Sequence, residues 1–139
     1  MKYLKLLSAI LAMLSAAFLA PSANASGDES VQTANGVSYV SGGVGTASID
    51  RLSAMARDFN IKLVFALTSG AYLSSVKVTI ADASGKVLVD ATSTGPLLLA
   101  KLPAGSYKIA ANFNGKIEMR SVVVGAEKLK TIDFRWTAE

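Results

Sequence analysis

The chain has 139 residues, 51% of them hydrophobic, with 14 Lys+Arg against 10 Asp+Glu and neither histidine nor cysteine. Without histidine it lacks the commonest general base, transition-metal ligand and near-neutral pH switch; without cysteine it lacks disulfides and thiol chemistry. The net charge of +4 is spread along the chain instead of forming a basic cluster, which argues against a nucleic-acid partner.

Taken in chain order, the first element is a targeting signal over residues 1–25. Lys2 and Lys5 make a positive start, Leu6 to Ala20 is an apolar run, and Ala23-Asn24-Ala25 has the small-residue form of a cleavage site. The run is shorter than the roughly 20 residues that span a bilayer, and no second run follows, so no membrane span is expected in the processed form. Cleavage after Ala25 predicts an exported protein starting at Ser26, periplasmic in the leading reading and secreted in the alternative. Loss of Lys2 and Lys5 takes the charge from +4 to +2. No lipid anchor is expected, since that route needs a cysteine at the cleavage point. What remains suits one domain with one core.

Residues 26–36 are small and polar and predict a flexible leader, with the domain occupying 37–139. Val37 to Ser41 reads as a short strand. Gly42, Gly43 and Gly45 then break regular structure, and Ser48 is placed to cap a helix. Apolar residues at 49, 52, 55, 56 and 59 have helical spacing, predicting a helix over about 48–59 with Asp50 in its first turn. Leu52, Met55 and Phe59 would lie against a sheet.

The period then changes to two. Ile61, Leu63, Phe65 and Leu67 share one strand face, while Val64 and Ala66 make the other face apolar, so the helix is expected to cover that strand. Val76, Val78 and Ile80 point inward in the next strand. Asp82-Ala83-Ser84-Gly85 is a hairpin turn, Lys86 to Thr94 returns, and Gly95-Pro96 turns again. Leu97 to Leu102 leads into Pro103-Ala104-Gly105, after which Tyr107, Ile109, Ala111 and Phe113 share a face. Asn114-Gly115 is a strong hairpin signal. Lys116 to Val124 and Lys128 to Trp136 complete seven or eight strands, predicting a mainly β protein built as an antiparallel β-sandwich with one N-terminal helix.

Residues 76–113 resemble the carboxypeptidase regulatory-like domains, which have a transthyretin-like sandwich. The likeness rests on the hairpin Asp82 to Gly85 and the turn Leu102-Pro103-Ala104-Gly105-Ser106-Tyr107. The segment Thr94-Gly95-Pro96-Leu97-Leu98-Leu99 departs from the family pattern, which has an Asp-x-x-Gly there. The front part, from Tyr39 through Ala66, is similar to small exported bacterial proteins of this group. The resemblance implies a non-catalytic module. A transthyretin-like hydrolase relies on histidines, which this chain lacks.

The candidate functional residues are few. Ser41-Gly42-Gly43-Val44-Gly45 lies between a strand and a helix, where phosphate loops occur, but it lacks the third glycine of a dinucleotide loop and the Lys-Ser/Thr of a P-loop, so a plain turn is the leading reading. Asp82 and Asp90 are too few for calcium, which wants six or more oxygens, and Asp82 reads as a turn residue. Tyr39, Tyr72 and Trp136 could form a sugar-binding platform, although packing accounts for each more simply. No catalytic residue, metal site or cofactor is predicted. The expected function is a non-enzymatic exported module that binds or supports an envelope protein or polysaccharide, with Tyr39, Ser41, Gly42, Gly43 and Tyr72 as candidate contacts. The alternative is a carbohydrate-binding protein, or a histidine-free hydrolase, with its site near the Gly42–Gly45 loop. Oligomeric state is not legible in the sequence.

Overall fold

The computed structural model describes residues 29–126 and 129–137. Residues 1–25, read above as a targeting signal with Ala23 and Ala25 at its cleavage site, lie outside the described residues. Nine strands and one α-helix follow in chain order: β1 (Gln32–Ala34), β2 (Val37–Gly42), α1 (Thr46–Met55) with a 3₁₀ turn over Ala56–Asp58, β3 (Ile61–Leu67), β4 (Lys77–Asp82), β5 (Val87–Thr92), β6 (Leu97–Lys101), β7 (Gly105–Phe113), β8 (Lys116–Val124) and β9 (Lys130–Trp136). They form two sheets, ordered β1-β2-β6-β3-β9 and β5-β4-β7-β8.

The sandwich follows from period-two burial. Ile61, Leu63 and Phe65 from one sheet and Val78, Ile80, Ile109 and Ala111 from the other are all fully buried and belong to one core cluster. Aromatic side chains fill the end of that core: Phe65 and Phe134 lie 5.8 Å apart between ring centroids, Phe113 and Trp136 5.9 Å, and Phe134 stacks on Trp136 at 6.2 Å. The indole Nε1 donates to the Lys116 carbonyl at 2.9 Å, tying β9 to β8 across the two sheets.

Turn chemistry sets the register. Asn114 and Gly115 take φ of 52° and 85°, the paired positive values that a two-residue hairpin between twisted strands requires. In the β4–β5 turn, the Asp82 carboxylate accepts from the Ser84 hydroxyl (2.6 Å) and from the Ser84 and Lys86 N–H groups (2.9 and 3.0 Å). These bonds, the hydroxyl foremost, hold its carboxyl below the usual range. This accounts for Asp82 as a turn residue.

The structure corrects five expectations. The described residues form nine strands, not seven or eight, and one of them, β1, lies in the stretch assigned to a flexible leader. It pairs with β2 through Asn35-Gly36 at φ of 52° and 78°, the same turn chemistry as Asn114-Gly115. The sheets are not wholly antiparallel, because β3 and β9 run parallel. The helix begins at Thr46 instead of Ser48 and passes into a 3₁₀ turn at Ala56. Asp50 therefore falls outside its first turn. Finally, α1 covers β2 and β6, not β3: Leu52 and Phe59 pack with Val40 and Leu99 in a second small core. The helix leaves β2 through a loop of only three residues, too short to carry it across β6 to β3.

Candidate functional site

Two places on the molecule combine unusual packing with exposed or charged groups. The first is the glycine loop between β2 and α1. Gly43 and Gly45 hold positive φ of 102° and 89°, which turns the chain sharply into the helix. The Gly43 N–H donates to the Ser48 hydroxyl at 2.8 Å, and that hydroxyl donates to Glu29 at 2.6 Å. The other carboxylate oxygen accepts from the Arg51 Nε at 2.5 Å, and Arg51 Nη2 reaches the first oxygen at 3.0 Å. Ser48 thus serves the loop as a relay from within the first helical turn, and not as a cap.

The Glu29 side chain is 4% exposed while its Arg51 partner is 47% exposed. The guanidinium contributes most, with Ser48 adding to it against the opposing cost of burial, and the Glu29 carboxyl is pulled down to about 2. Its stem lies on Gly42, where an added Cβ would come within 2.9 Å of Glu29 Cγ and 3.0 Å of Ser48 Oγ. The position over the loop that an incoming phosphate or sugar carboxylate would need is filled by the chain's own carboxylate. The loop is a closed structural joint.

The remaining candidates do not converge on it. Ser41 faces the other side of β2, where its hydroxyl donates to the Leu97 carbonyl and accepts from the Thr94 N–H, both at 3.0 Å. Tyr39 packs half-buried on the main core, and Trp136 is buried within it. Tyr72 is 64% exposed beyond β3, bridged to Ala66. No shared aromatic platform arises, because two of the three rings serve the core. Tyr107 is buried too, and its hydroxyl donates to the Pro103 carbonyl at 2.6 Å. Burial, then the nearby Asp82, raises its phenol above the ordinary value. Among the described residues, no three acidic side chains gather as they would for a metal ion.

The second place is the outer face of β5-β4-β7-β8. Helix α1 covers part of the opposite sheet, but no helix among the described residues covers this one. On β8, Val122 and Val124 face the core, so Ile117, Met119 and Val123 face out, exposed by 58, 56 and 62%. Val87 on β5 is also exposed. Toward the hairpin 82–85 the face dips into a groove of about 410 Å³, lined by Ala81, Ser106, Lys108, Ser121 and Val123 among others. Its volume falls in the range of small-ligand sites. Sequence reasoning missed this surface because the pattern misleads: Glu118 and Arg120 alternate with two large apolar residues, which invites placing the apolar pair inside. In the structure Arg120 instead lies over the Phe134 ring at 5.0 Å and pairs with Glu118, closing the open end of the sandwich.

No protein family model matches the chain, and no curated protein is similar enough in sequence to stand as a relative.

Proposed function

We propose that this chain is an exported, non-catalytic β-sandwich module that attaches to another component of the cell envelope through the outer face of β5-β4-β7-β8. The observation that carries the reading is the exposed stripe of Ile117, Met119 and Val123 on a sheet face that no helix among the described residues covers. Large apolar side chains grouped on a surface mark contact sites more often than singly scattered ones do. The histidine- and cysteine-free chemistry of the chain supports a binding role over a catalytic one, as does the closed glycine loop. The regulatory-like resemblance of residues 76–113 agrees with it, and the N-terminal signal supplies the compartment.

The test uses the protein as recovered after export, whose first residue should be Ser26. It should sediment with isolated envelopes. The variant Ile117→Thr/Met119→Ser/Val123→Thr should stay in the supernatant while melting within a few degrees of wild type, because exposed substitutions shift stability by only about 0.5 kcal/mol each. Equal sedimentation of the two proteins would refute the assignment of this face.

A further inference from the structure

Strand β8 lies at an edge of its sheet, and among the described residues no strand pairs with its outer side. It is nine residues long and unbroken by any register shift against β7. The turn Asn114-Gly115 makes Phe113 and Lys116 a hydrogen-bonded pair, and hydrogen-bonded and open pairs alternate from there. Ile117, Met119 and Ser121 therefore fall at open pairs, and their N–H and C=O groups point away from β7 along the free edge. Side chains reach that edge but no second backbone does: the Met119 carbonyl accepts from Arg120 Nη1 at 2.9 Å, and the Val123 carbonyl from Lys130 Nζ at 3.1 Å. A long edge strand with large apolar side chains is a template for another strand.

We infer that β8 pairs antiparallel with β8 of a second copy of this chain, about a two-fold axis at Met119. Charge selects both the partner and the register. An axis at Met119 sets Ile117 opposite Ser121 of the second copy, and Glu118 opposite its Arg120, each contact occurring twice by symmetry. Glu118 and Arg120 are each 38% exposed at the side chain and 3.4 Å apart within one chain. Across the axis they occupy the open pairs of the new ladder, where facing side chains come closest, so opposite charges meet. An axis at Arg120 would set two arginines face to face, and one at Glu118 two glutamates. An axis at Ser121 would leave both charges facing valines, and one at Ile117 would run into the hairpin turn. Arg120 would exchange the Met119 carbonyl for the second copy's carboxylate and release that carbonyl to a backbone N–H. The two four-stranded sheets would become one, with Ile117 and Met119 of both copies side by side on its outer face. This inference goes beyond envelope attachment, because it needs the edge of β8 and attachment needs the face.

Sedimentation velocity of the exported protein should show a monomer–dimer equilibrium. Glu118→Arg alone, or Arg120→Glu alone, sets like charges opposite each other and should weaken the dimer about tenfold. An equimolar mixture of the two variants restores opposite charges at both contacts and should form a heterodimer. No change confined to one chain produces that result. The register is read by Met119→Cys, the sole thiol in a chain without cysteine. At the axis the facing Cα atoms are about 5.5 Å apart, within the span of a disulfide, so mild oxidation should link this variant as a dimer. Ser121→Cys, which faces Ile117, should remain unlinked. The cysteine pair keeps the test open if a charge variant folds poorly. A protein that stays monomeric at every concentration, with Met119→Cys unlinked, overturns the inference. So does a mixture of the charge variants that associates no better than either alone, or equal linking of the two cysteine variants. Envelope sedimentation is a separate readout, so failure of the dimer leaves the proposed attachment standing.

Discussion

Replacing Glu29 with glutamine removes one charge from an otherwise intact joint, and the consequence depends on pH in a defined way. In the folded chain the carboxyl sits at about 2, against an ordinary value of 4.5. A group whose folded value is depressed adds stability above its unfolded value and loses it as pH falls toward the folded one. The contribution is therefore complete above about pH 5 and fades between 4.5 and 2. Taken at full strength, that drop corresponds to roughly 3 kcal/mol. The exposure of the partner reduces it, because Arg51 is 47% open to solvent. Screening of such a pair brings the expected loss for Glu29→Gln to about 1–2 kcal/mol at pH 7. Urea unfolding of both proteins at pH 7, 5, 3 and 2 would measure it. The gap between them should be constant from 7 to 5 and close by 2. A gap that persists unchanged at pH 2, or none at pH 7, would show that the charge of Glu29 does not hold the leader to the helix.

Gly95→Ala should be among the most damaging single changes. A Cβ there would lie 2.6 Å from the Gly42 carbonyl carbon and closer still to its oxygen, so backbone must move, and a cost of at least about 2 kcal/mol in chemical denaturation is expected; wild-type stability would mean the β5–β6 turn can shift freely. Leu52→Ala empties the small core between α1 and the sheet, where Leu52 is 2% exposed, and should cost about 2–5 kcal/mol. A melting curve unaltered by that change would show that α1 is not held by this contact.

Much of the fold was legible because it rests on local signals. Alternation marked β3, β4 and β7 closely, and Asn114-Gly115 and Asp82 to Gly85 turn where their chemistry predicts. Local signals failed where the decisive contact was remote. Asn35-Gly36 is the same hairpin dipeptide as Asn114-Gly115, but its flanks are polar and only three residues long on one side, so the pattern around it resembled a tail. The parallel pairing of β3 with β9 leaves no trace in either strand, since the faces alternate identically in both orientations. The candidate surface was hidden for a related reason. Arg120 occupies an inward position because a phenylalanine ring from β9 lies there to receive it, and that ring is invisible from β8. Glu29 likewise reads as solvated until Ser48 and Arg51 are placed beside it.

The parallel pair also bears on when the molecule can become itself. Strand β3 is an early element, yet its neighbour β9 comes last among the described strands, and β9 brings Phe134 and Trp136 into the core. Until those residues arrive, β3 has one open edge and the aromatic end of the sandwich is unfilled. The pair cannot form until β9 has been made, and closing so long a loop carries an entropic cost that the local hairpins avoid. For a chain proposed to be exported, that dependence would have a use: until β9 is made the core stays open, and a chain with an open core can be threaded through a narrow passage.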